Sequence, residues 1–377
     1  MPIYDNNVYS IVNSITEQAL GKTALTVVDE QSLIAMGDYI FNNDSLESWY
    51  NKLMLRIGKT IISGRRYSTK FKGLLRDDYE WGAVTQKIST QMPSAEEDDS
   101  YGITNGESVD MYKVNRLNVV QKLFFKSAPY QFHITIYREE QLRKAFLSGA
   151  NMEAFINSQF LAVQNKFEMI IESMGRNAIN NYIAEVGGTA REYKLVTMYN
   201  TERGLQGDAL LTAQTALFDP DFLRYVIAKF QEISSGMEEM KTLYNDGSIE
   251  RHTPRDLQKM FMWTRFSTAL GTVAQYSAFQ EQYLRFINPI NLNFFQSSQS
   301  GSENTVKVKR SSDGTEKTIN NIVGVLFDYE ALGTYKEDVS VDTTPFNAAG
   351  LYSNTFWHYN KMYFNDLSEN FILFTLN

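Results

Sequence analysis

The chain has 377 residues, of which 43% are hydrophobic, and this length and composition indicate a globular protein with room for two or three substructures. A net charge of −8 excludes nucleic-acid binding through bulk charge, and the absence of cysteine excludes disulfides, thiolate metal sites and a cysteine nucleophile. No apolar run approaches the roughly 18 residues that cross a bilayer, and the start MPIYDNNVYS lacks the basic and apolar regions of an export signal.

Aromatic side chains are plentiful, with 24 Phe, 22 Tyr and 4 Trp. Large, rigid side chains of this kind suit extensive buried contacts, including contacts between subunits. A Tyr-rich core would use them equally well, so the aromatic content leaves both interpretations open.

The N-terminal region, residues 1–67, is predicted to be an arm with short helices. Gly21 follows the first helical pattern and Asp29 is a candidate cap for the second. Asp44 or Ser45 can cap the third. The predicted helices are 8–20, 31–41 and 46–56, with a β-prone stretch at 25–28.

A basic segment at 58–76 has no acidic residue before Asp77. One interpretation is a basic surface for DNA or for an acidic neighbouring subunit. The other is a solvated face with no partner. The cations of this segment are Lys59, Arg65, Arg66, Lys70, Lys72 and Arg76.

Residues 68–127 are predicted to contain a long β-hairpin, with strand-like stretches at 79–90 and 109–125. A two-stranded hairpin is marginally stable alone, so one of this length needs another surface to lie on. An acidic tip and a basic base in one chain favour head-to-tail pairing between copies, although solubility alone also explains the acidic run. The tip run consists of Glu96, Glu97, Asp98 and Asp99.

After a predicted strand at 130–137 and a short helix at 139–147, a spine helix is predicted over 151–185. It would be roughly 50 Å long at 1.5 Å per residue. Asn151 is the candidate N-cap, and Gly187 and Gly188 end the pattern. An ordinary core helix of an enzyme is the alternative. The predicted core residues of the spine are Phe155, Phe160, Val163, Phe167, Ile170 and Met174.

Residues 191–335 have a mixed pattern of helices and strands. Asp219 caps a predicted helix that starts with Pro220 and stops at Asn245. Residues 312–314 form a predicted tight turn. The predicted elements are helices at 220–244 and from 267 or 268 to 284, strands at 257–264, 307–310, 318–320 and 322–329, and two long strands within 351–376.

Catalytic and metal-binding patterns are absent from the sequence. The metalloprotease, serine-hydrolase, dinucleotide and phosphate-loop motifs do not occur, and the acidic run lacks the spacing of a calcium loop. His133 and His358 lie within strand patterns, which favours structural roles. We therefore predict no enzyme activity, no cofactor and no metal.

The order of these elements resembles the major capsid protein of tailed bacteriophages, with the Hong Kong 97-type fold. The closest similarity in kind is to the major head proteins of short-tailed phi-29-type phages. It covers most of the chain in order, with sparse identity and no single diagnostic motif. The residues that carry it are 70–72, 118–125, 132–136, 144–148, 153–156, 350–352, 357–359 and 371–373.

The resemblance implies an α+β, Hong Kong 97-like capsid fold and a division of the chain into named parts. These are the N-terminal arm at 1–67, the E-loop hairpin at 68–127, the P-domain with the spine helix at 128–190, the A-domain at 191–335, and returning strands that complete the P-domain at 336–377. Nothing in the sequence identifies a crosslinking chemistry.

The resemblance also implies a function and partners. Copies of the chain would assemble as hexamers and pentamers into an icosahedral or prolate head shell around the double-stranded DNA genome. Each acidic tip would contact a neighbouring subunit, and the basic segment would face a subunit or the DNA. Further partners would be a scaffolding protein and a portal. The chain would assemble in the bacterial host cytoplasm and reside in the virion, with no membrane contact.

Two other hypotheses come from different classes of protein. A cytoplasmic nucleic-acid-binding or scaffolding oligomer would use the basic residues 59–76, and its duplex binding would be salt-sensitive. An unrecognised hydrolase would need two carboxylates with strongly shifted pKa values in one cleft.

Overall fold

The structure is a computed structural model of the 377-residue chain. It describes residues 8–21, 26–42, 48–53, 68–76, 84–93, 102–108, 112, 114, 116, 119–125, 130–137, 141–246, 249–275, 289–336 and 339–377.

The described residues form an α+β fold whose elements alternate along the chain. The helices are α1 Val8–Leu20, α2 Glu30–Asn42, α3 Arg143–Ala145, α4 Gly149–Val186, α5 Leu195–Arg203, α6 Pro220–Met237 and α7 Thr264–Gln275, and residues 48–53 are also helical. The strands are β1 Leu75–Arg76, β2 Val84–Thr90, β3 Val119–Phe125, β4 Tyr130–Tyr137, β5 Glu192–Lys194, β6 Gln258–Trp263, β7 Ile290–Leu292, β8 Val306–Lys309, β9 Glu316–Ile319, β10 Ile322–Asp328, β11 Leu332–Lys336, β12 Ser340–Thr343, β13 Tyr352–Tyr359, β14 Lys361–Asn365 and β15 Phe371–Thr375.

The chain divides into two compact units, each made of three separate segments. The first unit comprises Met1–Trp81, Lys126–Met174 and Thr334–Met362, and the second comprises Gly82–Phe125, Gly175–Gly333 and Tyr363–Asn377. Residues 336–362 thus lie in the first unit and residues 363–377 in the second.

The core of the first unit lies between a three-stranded sheet and helices. The sheet has the order β12-β13-β4, and Phe132 of β4 stands opposite Trp357 of β13. Their rings stack with centroids 5.2 Å apart, and Phe167 of α4 meets Phe132 edge-on at 5.2 Å. Trp49 is fully buried and donates its indole N–H to Thr16 Oγ1 of α1 at 3.0 Å. Aromatic packing thus joins the sheet to the helices of this unit.

The two N-terminal helices begin and end close to their predicted bounds. Helix α1 ends at Leu20 before Gly21, whose φ is +80°. Helix α2 begins beside Asp29, whose carboxylate accepts the Ser32 N–H at 2.8 Å. The described part of the β-prone stretch, 26–28, is not a strand. There the Asn13 side chain bonds both the N–H and the C=O of Val27, at 2.7 and 2.8 Å, and takes the place of a partner strand.

The spine helix, α4, begins two residues earlier than predicted. Ser148 Oγ accepts the N–H of Asn151 at 3.3 Å, so Ser148 acts as the cap and Asn151 lies inside the helix. At the other end Gly187 donates to Ile183 O at 2.8 Å, and Gly188 has a φ of +75°. A Cβ on Gly187 would overlap the Ile319 side chain, which explains the glycine at this stop.

The predicted core residues of the spine differ in their burial. Val163, Phe167, Ile170 and Met174 are buried, whereas Phe155 is only half-buried. The side chain of Phe160 lies outside the described part of the structure.

The second unit contains a five-stranded sheet with the order β5-β15-β10-β6-β7. Strand β10 is antiparallel to both β15 and β6, and every residue of β10 and β15 is buried. Phe371 of β15 stacks on Tyr182 of the spine helix at 3.8 Å. The predicted turn between β8 and β9 is present, and Gly314 there has a φ of +70°.

Further predicted elements, in the region from residue 220 onward, differ from the structure. Helix α6 starts at Pro220 with Asp219 as its cap, but it ends at Met237 rather than 244, because Met237 O accepts the N–H of Thr253 at 2.6 Å instead of a helical N–H. Helix α7 begins at Thr264, directly after β6, and residues beyond 275 are outside the described part. The two long strands within 351–376 are three strands, because Asn360 and the turn at 366–370 interrupt them.

Candidate functional site

The hairpin, defined as β2, β3 and the residues between them, is present with shorter strands than predicted. The two strands pair antiparallel from Val84 opposite Phe125 to Thr90 opposite Val119. Residues 94–101 lie outside the described part of the chain, and with them the acidic run Glu96, Glu97, Asp98 and Asp99. The tip prediction therefore stays a prediction.

The two faces of β2 differ in their exposure. Lys87 is half-buried and Ser89 is buried, while Gln86, Ile88 and Thr90 are exposed. Because side chains alternate along a strand, Lys87 and Ser89 share the inner face. Ile88, an apolar residue 61% exposed, lies on the outer face. The described outer face of β2 is thus open to contact with another molecule.

The inner face binds a cluster of charged residues within the second unit. Lys87 Nζ lies 2.6 Å from Glu369 Oε1, 3.1 Å from Asp366 Oδ2 and 3.3 Å from Glu330 Oε2. Lys122 of β3, directly opposite Lys87 in the register, lies 2.5 Å from Asp366 Oδ1. Arg251 Nη2 contacts Glu369 Oε1 at 3.2 Å and Ser89 Oγ at 2.7 Å. The charged anchor, as we name it, consists of Lys87, Lys122, Arg251, Glu330, Asp366 and Glu369.

Two carboxylates of the anchor, Asp366 and Glu369, lie in the turn between β14 and β15. Ser368 donates its N–H and its hydroxyl to Asp366 Oδ1, at 3.0 and 2.7 Å. The hydroxyl of Tyr182, on the spine helix, donates to the backbone oxygen of Asp366 at 2.7 Å. The spine helix therefore fixes the backbone to which the hairpin binds.

Burial and ion pairing shift the pKa values of Asp366 and Glu369 in opposite directions. Burial alone would raise the pKa of Asp366, but the hydrogen bond from Lys122 and the charge of Lys87 lower that pKa to about 2. Burial raises the pKa of Glu369, and the interactions with Lys87 and Arg251 offset only part of the rise. Burial alone would lower the pKa of Lys87, yet its bonds to Glu369 and Asp366 raise it.

These shifts bear on the chemistry that a lysine beside a carboxylate can perform. Amide formation between them needs a neutral amine and a protonated acid. The pKa of Lys87 is raised and that of Asp366 is lowered, so both groups are held in their charged forms. Lys87 and Asp366 therefore form an ion pair in the folded subunit.

The basic segment is only partly described. Lys59, Arg65 and Arg66 lie outside the described part of the chain. In the first unit Lys70 and Lys72 are exposed, while Arg76 is half-buried in β1. Both interpretations of the basic segment therefore stay predictions, because three of its six cations lie outside the described part of the chain.

The spine helix has an exposed side in the first unit, which we call the outer stripe. Its residues recur every three or four positions, as one face of a helix requires. Most are small and only one is charged. The outer stripe consists of Asn151, Ala154, Ser158, Ala162, Lys166, Met169 and Ser173.

The two histidines that lie within strands pack against an aromatic ring. His133 and His358 flank Phe356 on the outer face of the first unit's sheet, with ring centroids at 5.1 and 6.2 Å. No three acidic or histidine side chains of the described residues converge as metal ligands would. No helix in the described ranges combines the length and apolar character that a bilayer crossing requires.

Sequence reasoning missed the charged anchor. Its contacts join residues 244 and 282 positions apart, which no periodic pattern reveals. The one local signal is the Asp-x-Ser sequence at Asp366, which is typical of a side-chain-capped turn.

Comparison with known proteins places this geometry in a family. A family model described as Phi29-like phage major capsid protein matches residues 12–375. A chain from the capsid structure of Staphylococcus phage Andhra is 12% identical, with 84% of this chain and 86% of that chain covered and a TM-score of 0.53. A chain from the structure of the head fiber and inner core protein gp22 of native bacteriophage P68 is 10% identical, with 82% and 85% covered and a TM-score of 0.53.

A search of curated proteins found no match. The two structural similarities are below one-eighth identity and show the fold, which is that of phage capsid proteins. The family model covers nearly the whole chain. This chain therefore belongs to the family of Phi29-like phage major capsid proteins, and it is a shell-forming structural subunit of the virion.

Proposed function

We propose that copies of this chain close into hexamers and pentamers in which each hairpin lies across the spine helix of a neighbouring copy. The observation that carries the proposal is that the two faces of the hairpin differ in their contacts. Its inner face binds the charged anchor of its own subunit, whereas its outer face exposes Gln86, Ile88 and Thr90. A ribbon held on one side and open on the other is suited to a neighbour's surface.

The outer stripe supplies a surface of matching size. From Asn151 to Ser173 it extends about 33 Å at 1.5 Å per residue, and the seven-residue strands of the hairpin extend about 23 Å. Small side chains let a β-ribbon approach the helix closely. Lys166, the one cation of the stripe, is the residue we assign to the acidic run at 96–99 of a neighbouring hairpin.

The remaining roles follow from the same assembly. We assign residues 1–67 as the arm, 68–127 as the E-loop, 128–190 with 336–377 as the P-domain, and 191–335 as the A-domain. The A-domain has exposed apolar residues suited to ring contacts, of which Phe218 is 76% exposed. Many modest contacts repeated by symmetry then add up to a stable shell.

The shell would enclose double-stranded DNA and assemble in the host cytoplasm with a scaffolding protein and a portal. A net charge of −8 gives weak, non-specific DNA contact, which leaves packaged DNA mobile. We infer a structural role without catalysis.

Deletion of residues 91–106 tests the proposal. The deletion removes the far part of the hairpin and leaves β2, β3 and the charged anchor in the chain. We expect a soluble, folded subunit that fails to form shells in negative-stain microscopy and sedimentation.

A matched control deletes residues 297–302 from the polar loop after β7, where the bond from Phe295 N to Glu303 O closes the gap. This control should assemble as the unaltered chain does. Normal shells from the 91–106 deletion would refute the role of the hairpin.

A further inference from the structure

We propose that Lys87 and Lys122 are positioning residues of assembly: by binding the carboxylates of the turn at 366–369, they set the direction of the hairpin before a neighbouring copy arrives. This inference rests on the proposed function, since a direction matters only if a neighbour receives the hairpin.

The hairpin depends on an outside support for its direction. Two antiparallel strands alone are marginally stable. The inner-face side chains that the structure describes are polar, namely Lys87, Ser89 and Lys122, and each bonds the charged anchor. Charge pairing and hydrogen bonds thus hold the described part of the inner face.

A single carboxylate fixes both strands at once. Asp366 accepts a hydrogen bond from Lys122 at Oδ1 and forms an ion pair with Lys87 through Oδ2, and these lysines stand directly opposite each other on β3 and β2. A bridge from one rigid group to two strands opposes rotation of the ribbon about its long axis. Ser368 and Tyr182 in turn hold Asp366, so the restraint extends into the spine helix.

Burial makes this restraint stronger than a surface ion pair. The Asp366 side chain has no exposed surface and that of Glu369 is 5% exposed. Removing a partner would leave a buried charge uncompensated, which is costly. Lys307 and Glu316 form a pair in the same unit that is largely exposed, and such pairs contribute little. Lys307 therefore offers a matched control.

Because the chain contains no cysteine, a spin label reacts only with cysteines that are introduced for the test. In the full chain, cysteines replace exposed Thr90 on the hairpin and exposed Ala228 on α6, and both carry spin labels. Pulsed electron spin resonance then gives the distance distribution between them in the unassembled subunit. We expect a narrow distance distribution with the anchor intact and a broad distance distribution in the K87M/K122M variant. The K307M and K87R/K122R variants keep the anchor's charge, so their distance distributions should be narrow.

Assembly rates are measured by light scattering on the same lysine variants without the cysteine changes, because Thr90 lies on the face proposed to contact a neighbour. If the hairpin takes its productive direction only about a tenth of the time, its apparent affinity for a neighbour falls about tenfold. We expect K87M/K122M to assemble about tenfold more slowly and K87R/K122R to assemble near the original rate.

A narrow distribution in K87M/K122M would overturn the proposal, as would a broad distribution with an unchanged assembly rate. If the double variant does not fold, K122M alone is measured, because Lys87 there keeps its bonds to Glu369 and Asp366. If the 91–106 deletion assembles normally, the proposed function is refuted. The label distances still show whether the anchor orients the hairpin, because they are measured in the unassembled subunit.

Discussion

Asp366 shows how a buried charge is maintained at the scale of one residue. Its side chain has no exposed surface, yet its pKa is lowered to about 2, because Lys122 and Lys87 bind its two oxygens. The Ser368 hydroxyl adds a third donor. A group with these partners contributes to stability only while it is ionised.

A pH dependence follows from that shift. The pKa of Asp366 is 3.8 when exposed and about 2 in the fold, so its contribution is fully present above pH 3.8 and is lost as the pH falls to about 2. The loss amounts to about 2 kcal/mol. Thermal unfolding of the unassembled subunit between pH 2 and pH 7 measures it.

In D366N we expect a less stable protein at pH 7 whose stability lacks this acid-dependent loss. The exposed Asp208→Asn change is the control and should leave the loss in place. The same loss in D366N as in the unaltered chain would contradict the assignment.

Local sequence signals predicted the elements whose bounds are set by residues nearby in the chain. Helix Val8–Leu20 and strand Tyr130–Tyr137 have their predicted bounds, because Gly21 stops the one and alternation marks the other. The end of α6 could not be predicted, since the competing donor is Thr253 in a later loop. The charged anchor was missed for the same reason, because tertiary contacts create it.

The spine helix depends on packing rather than on propensity, and this can be tested at Phe167. Its ring meets Phe132 at 5.2 Å and Tyr359 at 6.0 Å in the first unit. Truncation to alanine should lower the free energy of unfolding by about 3–5 kcal/mol, measured in urea. Ser173→Ala, on the outer stripe of the same helix, should change it by less than about 0.5 kcal/mol. Equal effects of the two changes would contradict the assigned faces.

Each of the two units is assembled from three separate parts of the chain. Any continuous fragment that contains one unit whole therefore also contains segments of the other. Strand β15 is the clearest case, because it comes late in the sequence yet lies between β10 and β5, with all five of its residues buried. Unit 2 depends on segments that lie far apart in the sequence.

Removing residues 371–377 should accordingly abolish the folded second unit. The truncation removes the strand that pairs with both β10 and β5. We therefore expect insoluble protein, measured as the soluble fraction after expression. Removal of residues 1–7 deletes the same number of residues and leaves every described element in the chain. A soluble truncated protein with the original circular dichroism would refute this role of β15.

The separation between the hairpin and its anchor has a consequence for biosynthesis. Asp366 follows Lys122 by 244 residues, and a ribosome that adds about 5–20 residues per second takes roughly 10–50 s to make them. During that interval a nascent chain displays its β-ribbon without the carboxylates that orient it. Under the proposed role of the anchor, a polypeptide still on the ribosome lacks the geometry for joining its neighbours, and assembly follows the translation of Glu369.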